Sequence, residues 1–257
     1  MGCAEEQMLF WGLIAGLLGW GAGAFVSHLA EAILARRALK LPTCPYCQTP
    51  YHPLQWSAIL ALVTGGRRCR ACERSARWPR FAGELLLALT WGLLVGRFGM
   101  SVRVLFAMVA AVPLTMILVT DLEAKIIPNR IVLPALGIVL VVGILMGPAV
   151  PGIEAWTWWS VPLGALLGFG VLWILASIGV ALLGEGALGA GDVKLAALVG
   201  ATVGFPMIIV ALLLAIFLGG AGALLVLIGK RGSLRSAIPY GPFIVLGCVG
   251  VLIYGVE

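Results

Sequence analysis

Charge is scarce in this sequence. Only 11% of its 257 residues are Asp, Glu, Lys or Arg, against roughly 25% in an ordinary soluble domain. Histidine occurs twice and acidic residues eleven times. Apolar residues make up 61% of the chain, more than a soluble globule can hide behind so few charges. Polar low-complexity tracts, a collagen repeat and a dense cysteine framework are also missing, which excludes disordered, collagenous and disulfide-scaffold classes. What remains is an integral membrane protein.

Apolar runs at 8–34, 81–98, 102–120, 129–146, 159–183, 205–228 and 238–254 reach the length that a membrane-spanning helix needs. A shorter run, 193–204, follows a glycine-rich stretch and gives an eighth segment. The expected fold is an all-α polytopic membrane protein of about eight transmembrane helical segments, with a small cytoplasmic zinc-ribbon-like insertion. Residues 1–35 form the first helix, 36–80 the insertion and 81–257 the main bundle. Glu5 and Glu6 stand where a secretory signal would carry basic residues, so the first run reads as a retained span.

Nine of the 17 basic residues lie between Arg36 and Arg80. A basic cluster beside spans marks the cytoplasmic side rather than a nucleic-acid surface. With eight segments, Lys125, Arg130, Lys194, Lys230, Arg231 and Arg235 fall on that same side. The loop 147–158 carries no Lys or Arg, and its Trp156 and Trp158, with Trp159, suit an interfacial belt on the other side.

Four of the six cysteines form two C-x2-C pairs separated by 21 residues: Cys44, Cys47, Cys69 and Cys72. Such pairs close a tetrahedral zinc site of structural type, because four thiolates leave no open position. Two disulfides would use the same residues, but a cytoplasmic loop is in a reducing compartment. His52 reads as a surface histidine, and Cys3 and Cys248 as ordinary residues.

Ionisable residues at the edge of spans are expensive and point to function. Asp121 ends the third apolar run, and Asp192 opens the short one within Gly189-Ala190-Gly191-Asp192-Val193-Lys194. Both map to one side of the membrane. Two carboxyls that meet there share a proton and can divide general-base and general-acid roles around a water. Gly189 and Gly191 would let a substrate backbone approach. Read singly, each aspartate serves equally as a cap or as the ion-pair partner of Lys125 or Lys194.

Together these features resemble the type IV prepilin peptidases. Asp121 with Ile127-Pro128-Asn129, and Gly189-x-Gly191-Asp192-Val193-Lys194-Leu195, are similar to that family's two aspartate motifs. The two cysteine pairs resemble its zinc loop. The run Trp78-Pro79-Arg80-Phe81-Ala82-Gly83-Glu84 is similar to the loop's return to the membrane, and Pro239-Tyr240-Gly241-Pro242-Phe243 to a motif opening the last span. Ser27, by contrast, stands where the family has asparagine, and Arg36 to Pro42 make a longer route into the loop.

The resemblance implies a bifunctional enzyme of the bacterial inner membrane. It implies cleavage of the basic leader of type IV prepilins or type II secretion pseudopilins by Asp121 and Asp192, with Gly189, Gly191, Lys125 and Lys194 in support. It also implies N-methylation of the new amine with S-adenosylmethionine, with Glu84 as a methylation candidate. Read alone, Glu84 can equally pair with Arg80 one turn earlier. Glu123 and Glu185 are expected to attract the basic leader. The expected partners are therefore prepilin-like substrates and membrane lipid, with no nucleic acid. Alternatives are another G-x-G-D intramembrane aspartyl protease, which would not need the cysteine loop, and a proton-coupled transporter, which would hold its acids at the midplane and show internal repeats.

Overall fold

A computed structural model describes residues 2–36, 42–44, 46–64, 66, 68–75, 77–152, 157–183, 189–228 and 239–255. Among them the chain forms nine α-helices: α1 (Gly2–Leu34), α2 (Ala58–Val63), α3 (Trp78–Phe98), α4 (Val102–Ala124), α5 (Asn129–Met146), α6 (Ser160–Leu183), α7 (Ala190–Val203), α8 (Met207–Ile228) and α9 (Gly241–Tyr254). The eight expected helices are all present, and α2 is an addition inside the cysteine loop. Glu185, Trp156, Arg37, Lys40, Lys230, Arg231 and Arg235 lie outside the described residues.

Six helices, α1, α3, α4, α5, α6 and α8, are long and apolar enough to cross a membrane, and the protein is a multi-pass membrane protein. Helices α7 and α9 have 14 residues each. That is about 21 Å of helix, short of the ~30 Å hydrocarbon core. Helix α7 is the inner one: every residue from Leu195 to Val203 is buried, and α5, α6, α8 and α9 all pack on it. Protein rather than lipid meets its surface, so its shortness leaves no backbone exposed to hydrocarbon.

Lipid gives no hydrophobic drive between helices, so close backbone packing must hold the bundle. The α1–α3 seam shows how. A methyl added to Gly12, Gly19 or Gly23 of α1 would come within 2.9, 2.6 or 2.7 Å of the α3 backbone. The α6–α7 seam is built alike, where a Cβ on Gly164 or Gly168 would overlap the carbonyl of Gly200 or Ala196.

The ends of α1, α4, α5, α7 and α9 that matter for chemistry gather at one end of the bundle, beside the cysteine loop. Arg77, at the close of that loop, reaches Glu123 of α4. Lys194 Nζ of α7 donates to Asn129 Oδ1 of α5 at 2.9 Å.

Gly19→Ala is expected to lower stability by about 1–3 kcal/mol, the usual cost of overpacking. Gly21→Ala, where an added methyl meets nothing within 4 Å, should be neutral or slightly stabilising. Thermal unfolding of both variants in detergent checks the contrast.

Candidate active site and metal centre

The cysteine loop is two copies of one turn. In the first, the Cys44 amide donates to the Thr49 carbonyl and the Gln48 amide to the Cys44 carbonyl, both at 2.9 Å; in the second, Cys69 with Arg74 and Glu73 with Cys69 do the same. Gln48 and Glu73 take matching left-handed φ values of 60° and 57°. Isolated antiparallel bridges close each turn, Thr43 with Pro50 and Arg68 with Ser75. Gln55 fastens the loop from inside, its Nε2 donating to the carbonyls of Gly66 and Arg68 at 2.9 and 3.0 Å.

The two turns bring all four Sγ atoms within 4.8 Å of one another. Cys44 and Cys72 are 3.6 Å apart, as are Cys47 and Cys69. A disulfide needs about 2.05 Å. A tetrahedral metal with bonds of about 2.3 Å sets its sulfurs roughly 3.8 Å apart, which is what the cluster offers. It can hold a metal such as zinc. The Thr49 hydroxyl, 3.3 Å from Cys47 Sγ, lowers that thiol to about 6 and so favours the thiolate that a metal binds. His52 stays outside the cluster, its Nδ1 accepting from the Leu54 amide.

Glu84 of α3 is fully buried, yet it does not pair with Arg80. Its carboxylate accepts from Trp20 Nε1 at 3.0 Å, Ser57 Oγ at 2.5 Å, the Ala58 amide at 2.6 Å and the Ile59 amide at 3.1 Å. The last two are unpaired donors of the first turn of α2, where the helix dipole also favours an anion. Glu84 is thus the counter-charge that docks α2, and with it the metal loop, onto the bundle. Arg80 turns instead to Glu31 Oε1 at 3.5 Å and the Trp56 carbonyl at 3.1 Å. That carbonyl also accepts from His28 Nε2 at 2.8 Å, so His28 belongs to a polar network rather than an open interface. Beside it, the Ser27 hydroxyl is buried with no hydrogen-bond partner among the described residues.

Asp121 lies in the last turn of α4, 5% exposed. Its Oδ2 has no hydrogen-bond partner among the described residues. Asp192 lies in the first turn of α7, half-buried, and its Oδ2 accepts from the Gly189 amide at 3.2 Å. The two carboxyls are close enough for Asp192 to act on Asp121 through its charge. Ile127, in the turn after α4, packs close to both Gly191 and Gly241: a methyl on Gly191 would meet its Cβ at 2.9 Å, and one on Gly241 its Cδ1 at 3.4 Å. Gly241, which opens α9, lies against the acid: a Cβ there would sit 2.5 Å from Asp121 Oδ2. Tyr240 feels the charge of Asp192. Gly241 and Ile127 were not singled out as site residues from the sequence. The signal for them lay in the Pro-Tyr-Gly-Pro string and the Ile-Pro-Asn string already noted.

The supporting residues are divided. Gly189 and Gly191 lie against Asp192, whereas Lys194 is bonded to Asn129. Lys125 caps α4 in a left-handed conformation, φ 54°. Glu123 does not face outward to attract a leader: its side chain is 2% exposed and pairs with Arg77 at 3.7 Å. The Arg77 guanidinium also stacks 5.3 Å from the Tyr46 ring, and that of Arg74 at 4.5 Å. Tyr46 stands between Cys44 and Cys47, so ring, guanidinium and Glu123 link the metal loop to the helix that carries Asp121.

Replacing Glu84 with glutamine removes the charge but keeps the shape. Hydrogen exchange at the Ala58 and Ile59 amides should then rise by about one to two orders of magnitude, from the loss of hydrogen bonds to a charged acceptor worth about 1.5–3 kcal/mol. Exchange in α4 and α7 should hold.

The model of the type IV leader peptidase family matches residues 108–224, a stretch that holds both aspartates. The chain is 30% identical over 250 residues to the prepilin leader peptidase/N-methyltransferase of Bacillus subtilis (strain 168), covering 96% of this chain and 93% of that one. It is 29% identical over 218 residues to the protein of the same name from Aeromonas hydrophila, with 82% and 71% covered. With that from Pseudomonas putida it shares 30% over 219 residues, with 83% and 73% covered. No solved structure matches the chain. A relative this similar over nearly the whole length of both chains settles the kinship: the chain belongs to the prepilin leader peptidase/N-methyltransferase family of enzymes.

Proposed function

We propose that this protein cleaves the basic leader from type IV prepilins or type II secretion pseudopilins, with Asp121 and Asp192 as its catalytic pair, and then methylates the new N-terminal amine. The observation that carries the cleavage reading is a buried carboxyl with an unpartnered oxygen, Asp121 Oδ2, beside a second carboxyl and flanked by glycine backbone. A carboxylate oxygen buried without a donor is costly, and a water donating to it would relieve it. In the proposed reaction one carboxylate takes a proton from that water as it attacks the scissile carbonyl. The other, protonated, hydrogen-bonds the carbonyl oxygen, and the amine leaves with a proton. Gly191 and Gly241 let Ile127 and the Asp121 carboxyl pack close to backbone, which holds the pair in place. Lys194, through Asn129, and Lys125, at the end of α4, hold the two helix ends that carry the acids.

The aspartates and the metal loop would face the cytoplasm across the bacterial inner membrane, as the basic residues of the loop favour. Zinc would be the metal of Cys44, Cys47, Cys69 and Cys72, and its part would be to hold the loop. S-adenosylmethionine would supply the methyl group. A cleft of about 490 Å³ on the loop, walled by Tyr51, His52, Gln55 and Arg70, is large enough for a ligand of that kind. Glu84 would act in methylation as a positioning residue, through α2, because its four donors leave its carboxylate no open face.

Purified wild type should cut a prepilin in liposomes, while Asp121→Asn and Asp192→Asn, each folded, should lose at least about 10³-fold in rate, since general acid–base groups contribute 10²–10⁴-fold. Product mass reads the outcome, and a further ~14 Da with methyl donor present reports the second activity. Cleavage retained in both variants would remove the acids from the mechanism. Gly241→Ala, whose methyl would displace the Asp121 carboxyl, should cost at least about 10²-fold in kcat, the scale of a misplacement near 1 Å. Elemental analysis should find one zinc per chain, and Cys44→Ser with Cys69→Ser should abolish it.

A further inference from the structure

Helices α4 and α5 diverge, because α5 leans onto α7, and a groove of about 570 Å³ opens between them. Leu105, Val109 and Ile138, three of its lining residues, are 50%, 54% and 59% exposed. It follows α4 from Val102 to Met116, about 21 Å at helical rise.

The groove does not end blindly. At Ile33 and Arg130 it runs into a second hollow of about 260 Å³ that is lined by Arg36, Ile126 and Pro128. Arg36 and Arg130 are exposed, and neither has an ion-pair partner among the described residues. The amino end of α5 adds its dipole of the same sign. An apolar groove closed at the loop end by two guanidiniums matches an anionic amphiphile.

We infer that the α4–α5 groove is a binding site for one anionic phospholipid, with an acyl chain along Val109 and Ile138 and the headgroup phosphate between Arg36 and Arg130. The site is independent of the cleavage reaction. It nevertheless lies against it, since Ile126 and Pro128 flank Ile127, the residue that packs on Gly191 and Gly241 beside the aspartates. Bound lipid would brace that turn from outside.

The test is native mass spectrometry of the full chain from vesicles of equal parts phosphatidylglycerol and phosphatidylcholine with identical acyl chains. Wild type should retain one phosphatidylglycerol, preferred about 30-fold over phosphatidylcholine, the scale of two arginines at an anionic headgroup. Arg36→Gln with Arg130→Gln should bring the preference close to one while the protein stays folded. Ile138→Trp, which fills the channel, should reduce retention of both lipids. Equal retention of the two lipids by wild type, or an unchanged preference in the arginine variant, would overturn the assignment. So would displacement of the lipid, one for one, by an apolar substrate-type helix, which would give the groove to the substrate.

Discussion

Hydrocarbon offers no hydrogen bonds, and every feature of this protein follows from that constraint. Backbone must be helical wherever lipid touches it. Irregular chain is admitted only where protein or water can satisfy it, so the turns that do chemistry collect at one end. The same constraint explains α7: a helix of 14 residues with an acid in its first turn survives only because four other helices enclose it. With no solvent to drive association, those helices must then meet backbone to backbone. The glycine seams between α1 and α3 and between α6 and α7 do this, and they fix where the helix ends, and hence the acids, come to rest.

Buried charge is managed by the same accounting of partners. Glu84 has four donors and no cation, a solution that uses an α2 helix terminus as its positive pole. Glu31, Glu123, Arg77 and Arg80 solve it by pairing, two acids against two guanidiniums, with Tyr46 and Tyr51 rings under the arginines. Breaking one member of such a set leaves an uncompensated buried charge, which costs far more than the pair contributes. The metal loop is therefore bolted to the bundle at two points of different chemistry, one at α3 through α2 and one at α4 through Arg77.

Much of this was legible in the sequence, and what was not has a physical reason. Helix length and apolar content need no tertiary information, so the eight bundle helices could be read directly, and the spacing of Cys44, Cys47, Cys69 and Cys72 anticipated their cluster. The partners of single charges could not. Glu84 and Arg80 are one turn apart on α3, which favours pairing on an isolated helix, but Ala58 and Ile59 present bare amides to Glu84 from a helix too short to announce itself. Glu123 looks solvent-facing beside Asp121; the return of Arg77 from 46 residues earlier draws it inward. Gly241 meets Asp121 across 120 residues of sequence; the Pro-Tyr-Gly-Pro string marks the position, but which partner it meets is set only by the tertiary packing of α9 on α4.

The glycines around the two aspartates are more than spacers. Gly191 admits Ile127, and Gly241 admits the Asp121 carboxyl itself, each at a distance that a methyl would forbid. Ile127 thereby packs the turn after α4, the helix that carries Asp121, against α7, which carries Asp192, and against the start of α9. In most buried sites a carboxyl held against apolar side chains recruits a donor to offset its desolvation. Here the Asp192 carboxyl accepts from the Gly189 amide, while Asp121 Oδ2 has no hydrogen-bond partner among the described residues. The asymmetry leaves one oxygen of the pair in need of a ligand, and the bare backbone of Gly241 stands beside it.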